Sequence, residues 1–351
     1  MTTRVAVNGF GRIGRQILRR ILSGPPGVDP IAINSLRGSP EVLAHLLTYD
    51  TVFGRWPGEV SSDSTSLIVD GRRIWVLHVA DPSELPWAAL EIDVVAEATG
   101  AFADRSSAAL HLKAGARKVV VTSLARDADI TVVVGVNDDR FDPAIHSVVS
   151  GASCTTNCLA PMAMVLHQRF GIVGGLMTTI HAYTRDQELI DGIHHDLRRA
   201  RAAAHNIVPT KTGAARAIRD VLPELTGKFV GIAVRVPIPD VSLVDLSVTL
   251  EQPATTEDIN DSFRMAASCP RLTAIIGISD EPLVSSDFLG DTRSCVIDAA
   301  STRGGPANQF KVLAWYDNEA AYAARMVDLM GIIAAEPARD LAPLAAFKRS
   351  S

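Results

Sequence analysis

Gly9-Phe10-Gly11-Arg12-Ile13-Gly14 is the stretch that decides the fold of the first half of the chain. It follows a β-rich run, residues 4–8, and precedes apolar residues at helical spacing, which are Ile17, Leu18, Ile21 and Leu22. Such glycines allow a tight turn and close approach of the backbone to a pyrophosphate, while the helix start offers its amides to phosphates. The stretch predicts a strand, a glycine turn and a helix that bind a dinucleotide. A purely structural glycine turn is the alternative.

Further apolar runs predict a parallel sheet covered on both faces. Residues 30–34, 93–97 and 118–122 are nearly continuous in β-forming apolar residues, as buried parallel strands are. The turns Thr99-Gly100 and Thr122-Ser123 follow strand ends, where open α/β sheets bind ligands. The fold class predicted for this half is α/β, a Rossmann-type dinucleotide-binding domain.

The segments between these strands predict two helices, a hairpin and a further strand. A helix is expected over residues 39–49, capped by Ser39 and with Leu43, Leu46 and Leu47 facing the core. Strands at 65–69 and 74–76 flank Asp70-Gly71 and predict a hairpin that interrupts the regular winding. A helix near 106–114 and a strand over 131–136 complete this half.

A thiol marks the middle of the chain. Ser153-Cys154-Thr155-Thr156-Asn157-Cys158 follows a strand-like run, 147–152, and precedes an apolar helical pattern, 159–166. Cys154 is therefore expected at a helix N-terminus, where unpaired amides and the helix dipole lower a thiol pKa and favour the nucleophilic thiolate. A small buried hydrophobic residue is the alternative interpretation.

The second half predicts an α+β domain with a largely antiparallel sheet. Strands are expected at 175–181, 230–236, 242–250 and 310–316, and a capped helix at 255–267. The predicted boundaries are residues 1–153 for the dinucleotide-binding domain and 154–318 for the catalytic domain, with a C-terminal helix in 319–351 packing back on the first. Between the first two strands, residues 184–209 form a long arginine-rich segment, which indicates either phosphate binding or a solvated charged surface.

Composition excludes several classes of protein. The chain has 351 residues, 47% hydrophobic and 21% charged, with a formal net charge of -5. This balance indicates no nucleic acid and no membrane partner, and we expect a cytoplasmic location. The 4 cysteines fit neither a disulfide framework nor a zinc finger, so reduced thiols and no metal site are expected.

His181 ends a predicted strand and would usually be a structural residue. Facing a thiol, it could form a thiolate–imidazolium pair and then act as general base toward a substrate hydroxyl. Beside a nicotinamide cofactor, such a pair suits attack on an aldehyde, oxidation to a thioester and release of the acyl group.

The chain closely resembles the phosphorylating glyceraldehyde-3-phosphate dehydrogenases over essentially its whole length. The resemblance is carried by six strings: residues 8–15, 152–161, 181–184, 206–210, 212–215 and 315–319. It implies oxidation of glyceraldehyde 3-phosphate with inorganic phosphate, an NAD-type cofactor, and a homotetramer to which the arginine-rich segment contributes.

The same resemblance implies a role for particular residues. Cys154 is the nucleophile, its amide helps to hold the oxyanion, and His181 is its base. The substrate phosphate is assigned to Thr184 and Arg235, and the attacking phosphate to Ser153, Thr155, Arg199, Thr212 and Gly213. Cofactor contacts are assigned to Gly9, Phe10, Gly11, Arg12, Ile13, Gly14, Asn34, Ser35, Thr99, Gly100, Thr122, Asn318 and Tyr322.

Some positions depart from the family pattern. Gly151, Leu124 and Lys211 replace customary residues, which suggests a specialised, inhibitor-tolerant isoform. Ser35 stands where NAD-using members carry an Asp whose charge repels a 2′-phosphate, and Arg37 follows it, so dual use of NAD and NADP is predicted. Gly192 and Ile193, where some strict NAD users have Leu-Pro, agree with that prediction.

Two other functions are compatible with parts of the pattern. The first is an erythrose-4-phosphate dehydrogenase, disfavoured because Thr184, Thr212 and Gly213 are present. The second is a non-catalytic dinucleotide- or RNA-binding protein, disfavoured by the retained Cys154 and His181 and by the negative net charge.

Overall fold

A computed structural model describes residues 2–24 and 27–335. Within them the chain divides into two compact units. The first contains the residues up to Val132, the segment Arg140–Ala152 and the last helix from Ala323 onward, and the second contains Val133–Asp139 and Ser153–Tyr322. The predicted C-terminal residues beyond 335 lie outside the described part.

The first unit is a nine-stranded sheet with helices. Its elements in chain order are β1 Thr3–Asn8, α1 Arg12–Ser23, β2 Val28–Asn34, α2 Pro40–Thr48, β3 Tyr49–Asp50, β4 Gly54–Arg55, β5 Val60–Ser62, β6 Ser66–Val69, β7 Arg72–Leu77, β8 Val94–Glu97, α3 Arg105–Ala108, α4 Leu110–Lys113, β9 Lys118–Val121, β10 Ile130–Thr131 and β11 Val148–Ser150.

The order of this sheet is β10-β11-β9-β8-β1-β2-β7-β6-β5. All neighbours from β10 to β7 pair in parallel, whereas β7, β6 and β5 are antiparallel. The predicted Rossmann-type sheet and its hairpin are confirmed. The carboxyl ends of β1, β2 and β8 therefore meet at one edge, and the glycine turn follows β1 at that edge.

The second unit is built on an eight-stranded sheet. Its elements are α5 Cys154–Phe170, β12 Ile172–Ala182, β13 Val208–Lys211, α6 Ala214–Val221, β14 Phe229–Val236, β15 Ser242–Leu250, α7 Thr256–Ser268, β16 Ile276–Ser279, β17 Cys295–Asp298, β18 Arg303–Gly304, β19 Gln309–Tyr316 and α8 Ala320–Ala334, which continues into the first unit.

The main path of the second sheet is β13-β14-β12-β15-β19-β17-β16, with β18 beside β19. Only the β12–β14 and β16–β17 pairs on this path are parallel, so the predicted, largely antiparallel character is confirmed. Helix α5 is apolar almost all round and packs on this sheet, with Leu159, Met162 and Leu166 completely buried. Its N-terminal residue is Cys154, as the sequence predicts.

Three local predictions are wrong. Leu46 on α2 is 37% exposed, whereas Leu43 and Leu47 are buried. Leu43 and Leu47, four residues apart, lie on the core-facing side of this short helix, and Leu46 lies at its edge. The strand expected over 131–136 ends at Thr131, since the side chains of Asn137 and Asp138 accept hydrogen bonds from the backbone amides of the segment before them and bend it into turns. The helix expected near 106–114 is the two short helices α3 and α4.

Within the described residues, no helix has both the length and the apolar character needed to cross a bilayer. In the same residues no group of three or more His, Cys, Asp or Glu side chains is arranged to hold a metal ion.

Candidate active site

A cysteine and a histidine meet in the second unit. The Cys154 Sγ atom lies 3.4 Å from Nε2 of His181, which belongs to β12. The backbone around the thiol is fixed by Ser153, whose hydroxyl caps α5 by accepting a hydrogen bond from the Thr156 amide at 3.1 Å. The first and longest strand of this unit thus carries the imidazole, and the start of its longest helix carries the thiol.

The imidazole is held in place from its other side. His181 Nδ1 lies 2.7 Å from the carbonyl oxygen of Ala182, and the ring meets Tyr316 edge-on at a centroid distance of 6.0 Å. If Nδ1 donates to this carbonyl, Nε2 carries the lone pair that faces the thiol; if Nδ1 instead accepts from Arg235, the proton is on Nε2. The buried Tyr316 hydroxyl bonds Thr155 Oγ1 at 2.9 Å and Thr179 Oγ1 at 2.8 Å, which ties the helix start to the strand.

The thiol pKa shifts in the opposite direction to the one predicted from sequence. Burial raises the pKa of the Cys154 thiol, an effect larger than the lowering by the Arg235 charge and by the hydrogen bonds from Thr155. Burial and the Arg235 charge lower the pKa of His181 to about 3. The direction predicted for the thiol pKa is therefore wrong for the free chain, because desolvation outweighs the helix N-terminus. The thiolate–imidazolium pair stays a prediction.

Arg235 on β14 is the cation nearest to this pair. Its Nη1 donates to the Ala182 carbonyl oxygen at 3.0 Å and to Thr184 Oγ1 at 3.3 Å, and it lies 2.8 Å from His181 Nδ1. Arg235 and Thr184, assigned to one phosphate by resemblance, therefore lie together beside the base. A guanidinium in this position can bind an anion close to the thiol.

Arg199 is the centre of a second polar group. Its Nε donates to Thr210 Oγ1 at 2.9 Å, its Nη2 donates to the Lys211 carbonyl oxygen at 3.2 Å, and it is ion-paired with Asp186. Its charge contributes to lowering the His181 pKa, so it acts on the same site. The segment that carries it, 184–209, is thus held by its own polar contacts.

Thr212 and Gly213 lie at the start of α6. Thr212 Oγ1 accepts a hydrogen bond from the Ala214 amide at 3.1 Å, and Gly213 is the N-cap residue. Gly213 itself provides no side-chain cap, so the other backbone amides of this helix start are a suitable place for an anion.

Asn318 follows β19 and has a fixed orientation. Ser242 Oγ donates to Asn318 Oδ1 at 2.6 Å, and Ser242 Oγ accepts from the Ala182 amide at 3.1 Å. The hydroxyl hydrogen of Ser242 is therefore directed at Asn318 Oδ1, and this arrangement leaves the Asn318 amide hydrogens for other acceptors. Tyr322, four residues on, is buried.

The glycine turn of the first unit fits a pyrophosphate. Gly9 has a φ of +102°, and a Cβ there would come within 2.7 Å of the Thr99 amide nitrogen. A Cβ on Gly14 would come within 1.9 Å of the Gly9 carbonyl oxygen, so helix α1 packs directly on the turn. Gly11 is the N-cap of α1, makes no side-chain cap and has open space where a Cβ would point. The amides of this helix start can therefore serve phosphate oxygens.

Other residues assigned to the cofactor have partners within the protein. Asn34 Nδ2 donates to Asn8 Oδ1 at 2.7 Å, and Thr122 Oγ1 donates to the Glu97 carbonyl oxygen at 3.0 Å. Thr99 also bonds Glu97, through its amide at 2.8 Å. The Phe10 side chain packs in the core, Arg12 pairs with Asp50, and Ile13 and the exposed Gly100 complete the set.

At the end of β2, Ser35 Oγ donates to the Arg37 carbonyl oxygen at 2.9 Å, which forms a small turn. His78 Nδ1 lies 2.6 Å from the Ser35 carbonyl oxygen. His78 therefore lies against the backbone of Ser35, at the position where an acidic residue would repel a 2′-phosphate.

Comparisons with known proteins decide the family. Residues 3–105 match the family model described as the NAD binding domain of glyceraldehyde 3-phosphate dehydrogenase, and residues 153–318 match the C-terminal domain of the same family. The chain belongs to the glyceraldehyde-3-phosphate dehydrogenase family.

Curated relatives of that name extend the similarity to almost the full length. The protein of Geobacillus stearothermophilus is 51% identical over 336 residues, which are 96% of this chain and 99% of the relative. Glyceraldehyde-3-phosphate dehydrogenase 1 of Bacillus subtilis strain 168 is 51% identical over 334 residues, covering 95% and 99% of the two chains. The Streptomyces coelicolor protein is 50% identical over 329 residues, covering 94% and 98%. The predicted family and fold class are confirmed.

Sequence reasoning missed a buried network in the first unit. Asn8 Nδ2 donates to Glu97 Oε2 at 2.5 Å, His111 Nε2 lies 3.1 Å from the same oxygen, and Trp87 donates to His111 Nδ1 at 3.0 Å. The sequence signal for this network is that two buried strands each end in a polar residue, Asn8 in β1 and Glu97 in β8. In this dehydrogenase family member the network fixes the ends of β1 and β8 around the glycine turn.

Ser242 was also missed as a site residue. The sequence identified it only as the start of a strand. Its contact with Asn318 joins residues that are 76 positions apart, so no local pattern indicates it.

Proposed function

We propose that this chain catalyses the phosphorylating oxidation of D-glyceraldehyde 3-phosphate to 1,3-bisphosphoglycerate. The observation that carries the proposal is the 3.4 Å contact between Cys154 Sγ and His181 Nε2 with Arg235 beside it. A thiol, a neutral base and an anion-binding cation are the groups that oxidation of a phosphorylated aldehyde through a thioester requires.

The chemistry begins on the thiol. Cys154 transfers its proton to His181 Nε2 as sulfur bonds to the aldehyde carbon, and the imidazolium then protonates the resulting oxyanion, giving a hemithioacetal. The backbone amide of Cys154 stabilises the oxyanion. A nicotinamide cofactor, when bound, would supply the hydride acceptor for oxidation of this carbon. Neutral His181 removes the hydroxyl proton, so that a thioester remains. An oxygen of inorganic phosphate then attacks the thioester, and the Cys154 thiolate leaves.

Two anion subsites serve the two phosphates. Arg235 and Thr184 would hold the phosphate of the substrate, because they lie together beside His181. Arg199, Thr212 and Gly213, with Ser153 and Thr155 at the start of α5, would hold the attacking phosphate. The Asp186 ion pair on Arg199 means that an incoming phosphate must compete with that carboxylate.

The pyrophosphate of the cofactor would lie on the glycine turn of residues 9–14. The resemblance to the family assigns Asn318 to the nicotinamide carboxamide. Dual use of NAD and NADP is supported by Ser35, which adds no negative charge, and by Arg37 two residues further along the chain. The Arg37 cation would attract a 2′-phosphate.

A homotetramer is supported by an exposed apolar face in the second unit. Leu176 on β12 and Val230 and Ile232 on β14 are 65%, 64% and 52% exposed, and Leu176 and Val230 are neighbours in the sheet register. The arginine-rich segment adds Leu189, Ile190, Ile193 and Leu197, all more than 70% exposed. Apolar surface of this extent is characteristic of an interface. Light scattering should give about four times 37.4 kDa, and Val230→Glu should lower that mass. A monomeric wild type would contradict the proposal.

A specialised isoform beside a housekeeping enzyme is supported by Gly151, Leu124 and Lys211, which depart from the pattern of the family that the sequence resembles. A cytoplasmic location is part of the same proposal. Inactivation rates with a thiol-directed epoxide would compare this enzyme with a relative that has the customary residues. Equal rates would contradict inhibitor tolerance.

The choice of aldehyde is tested by kcat/KM for glyceraldehyde 3-phosphate and erythrose 4-phosphate. We expect the triose to be preferred at least tenfold, since the residues assigned to both anion subsites are present. A preference for the tetrose would replace the proposal with the erythrose-4-phosphate activity.

A further inference from the structure

Two buried carboxyl groups meet beside Asn318. Asp240 lies in the loop between β14 and β15 and is 5% exposed, and Asp317 follows β19 and is completely buried. The residue after Asp240 is Val241, whose φ of +65° is unusual for a β-branched residue. Strain of this kind persists only where surrounding contacts impose it, and it is concentrated at functional sites.

The hydrogen bonds of the two carboxyls are unequal. Asp317 Oδ1 accepts from the amides of Glu319 at 2.9 Å and Ala320 at 2.6 Å, and its Oδ2 accepts from the Gly290 amide at 2.8 Å. Asp240 Oδ1 accepts only from the Val241 amide at 2.8 Å. Asp240 Oδ2 is buried and has no hydrogen-bond donor among the described residues, although Asp317 lies within hydrogen-bonding reach of the Asp240 side chain.

The unequal hydrogen bonding of the two carboxyl groups indicates that the proton lies on Asp240. Three backbone donors stabilise the negative charge on Asp317, whereas an ionised Asp240 would leave one oxygen buried and unpaired. Burial, Asp317 and Glu319 all raise the pKa of Asp240, to about 9. The Cys154 thiol faces the same carboxyl, and an ionised Asp240 would disfavour its thiolate. Every acidic group around Asp240 therefore favours its protonated form.

We propose that Asp240 and Asp317 share one proton and that this pair positions Asn318 for the cofactor. Asp317 is adjacent to Asn318 in the chain and fixes the turn that follows it, while Ser242, two residues after Asp240, bonds the Asn318 side chain. The pair thus joins the two segments that determine where the Asn318 amide lies. The inference rests on the proposed contact between Asn318 and the nicotinamide carboxamide.

Loss of the shared proton at high pH lowers the stability of the folded chain. The folded chain keeps a proton on Asp240 that the unfolded chain releases near the ordinary value of 3.8, so stability falls as pH rises from about 4 to about 9. Above that range two buried carboxylates repel each other and the segments they join separate. Cofactor affinity should fall over the same upper range.

The experiment measures the NAD⁺ dissociation constant by calorimetry from pH 7 to pH 10. The variants are Asp240→Asn, which still donates to Asp317 but cannot ionise, Asp240→Ala, and the matched control Asp245→Asn from β15, whose carboxylate pairs with Lys311. We expect wild type and control to weaken at least tenfold between pH 8 and pH 10, and Asp240→Asn to change less than twofold. Asp240→Ala should bind at least tenfold more weakly at every pH.

Two further readouts do not use the cofactor. Infrared spectra of the wild type at pH 7 should contain a protonated carboxyl band that Asp240→Asn lacks. The melting temperature of Asp240→Asn relative to wild type should rise from pH 5 to pH 9.

An unchanged wild-type affinity up to pH 10, the same pH dependence in Asp240→Asn, or no protonated carboxyl band would overturn the inference. Asn318→Ala separates this failure from that of the proposed function. If Asn318→Ala leaves NAD⁺ affinity intact, the assigned role of Asn318 is wrong; if it weakens binding while Asp240→Asn behaves as wild type, only the shared-proton inference fails.

Discussion

Replacing His181 by Asn tests the proposal that this imidazole takes the proton from Cys154. The Nε2–Sγ distance is 3.4 Å, and the ring is fixed by Ala182 and Tyr316, so no other base of the described residues is held in this position. A positioned general base contributes about 10²- to 10⁴-fold to the rate. We therefore expect kcat of His181→Asn to fall by about 10²- to 10⁴-fold, roughly 3–5 kcal/mol of transition-state stabilisation.

The assay follows NADH formation from glyceraldehyde 3-phosphate, in the steady state and as a single-turnover burst without added phosphate. Both should slow in the variant, because the base acts before the thioester is complete. His167→Asn is the matched control: this histidine lies in the last turn of α5 and its Nδ1 accepts a hydrogen bond from the Ile172 amide. Its kcat should stay within about twofold of wild type. A fall of less than about fivefold in His181→Asn, or an equal fall in the control, would refute the assigned role.

Four other substitutions test separate parts of the site. Cys154→Ser should abolish dehydrogenase activity, whereas Cys158→Ser should keep most of it, because the Cys158 thiol is buried and its pKa lies well above the usual range; preferential labelling of Cys158 by iodoacetamide would contradict this. Arg235→Gln should move the alkylation profile of Cys154 to higher pH, since the cation lowers the thiol pKa, and should reduce kcat/KM by roughly 30- to 4,000-fold, or about 2–5 kcal/mol for a buried charge that pairs with an anion. An unchanged profile would exclude Arg235 as the stabilising charge. Ser35→Asp should favour NAD⁺ over NADP⁺ by about 1–4 kcal/mol relative to wild type. A wild-type preference for NAD⁺ above about 10³, unaltered by the substitution, would show that Ser35 does not set cofactor choice.

Much of the fold is predictable because its signals are local. The glycine turn, most of the apolar strands and the helix caps at Ser39 and Thr255 each act within a few residues, and the structure has these elements where the sequence predicts them. The strand expected over 131–136 was wrong because side chains of Asn137 and Asp138 compete for its backbone amides. Such competition depends on conformation and is not visible in an apolar pattern.

The site was predictable in its residues but not in its electrostatics. Cys154 and His181 were identified from a helix start and a strand end, and the structure places them in contact. Their protonation could not be predicted, because it depends on burial and on Arg235, which is 54 residues from His181 in the chain. The carboxyl pair of Asp240 and Asp317 is likewise formed by two loops distant in sequence, so no motif indicates it.

The most direct test of the central claim is the phosphate dependence of turnover. Reduction of NAD⁺ by glyceraldehyde 3-phosphate is measured with and without inorganic phosphate, with enzyme at a concentration that makes one turnover visible. We predict a burst of about one NADH per active site without phosphate, followed by turnover that requires added phosphate, with 1,3-bisphosphoglycerate as product. Sustained turnover at the same rate without phosphate, giving 3-phosphoglycerate directly, would contradict the phosphorylating mechanism.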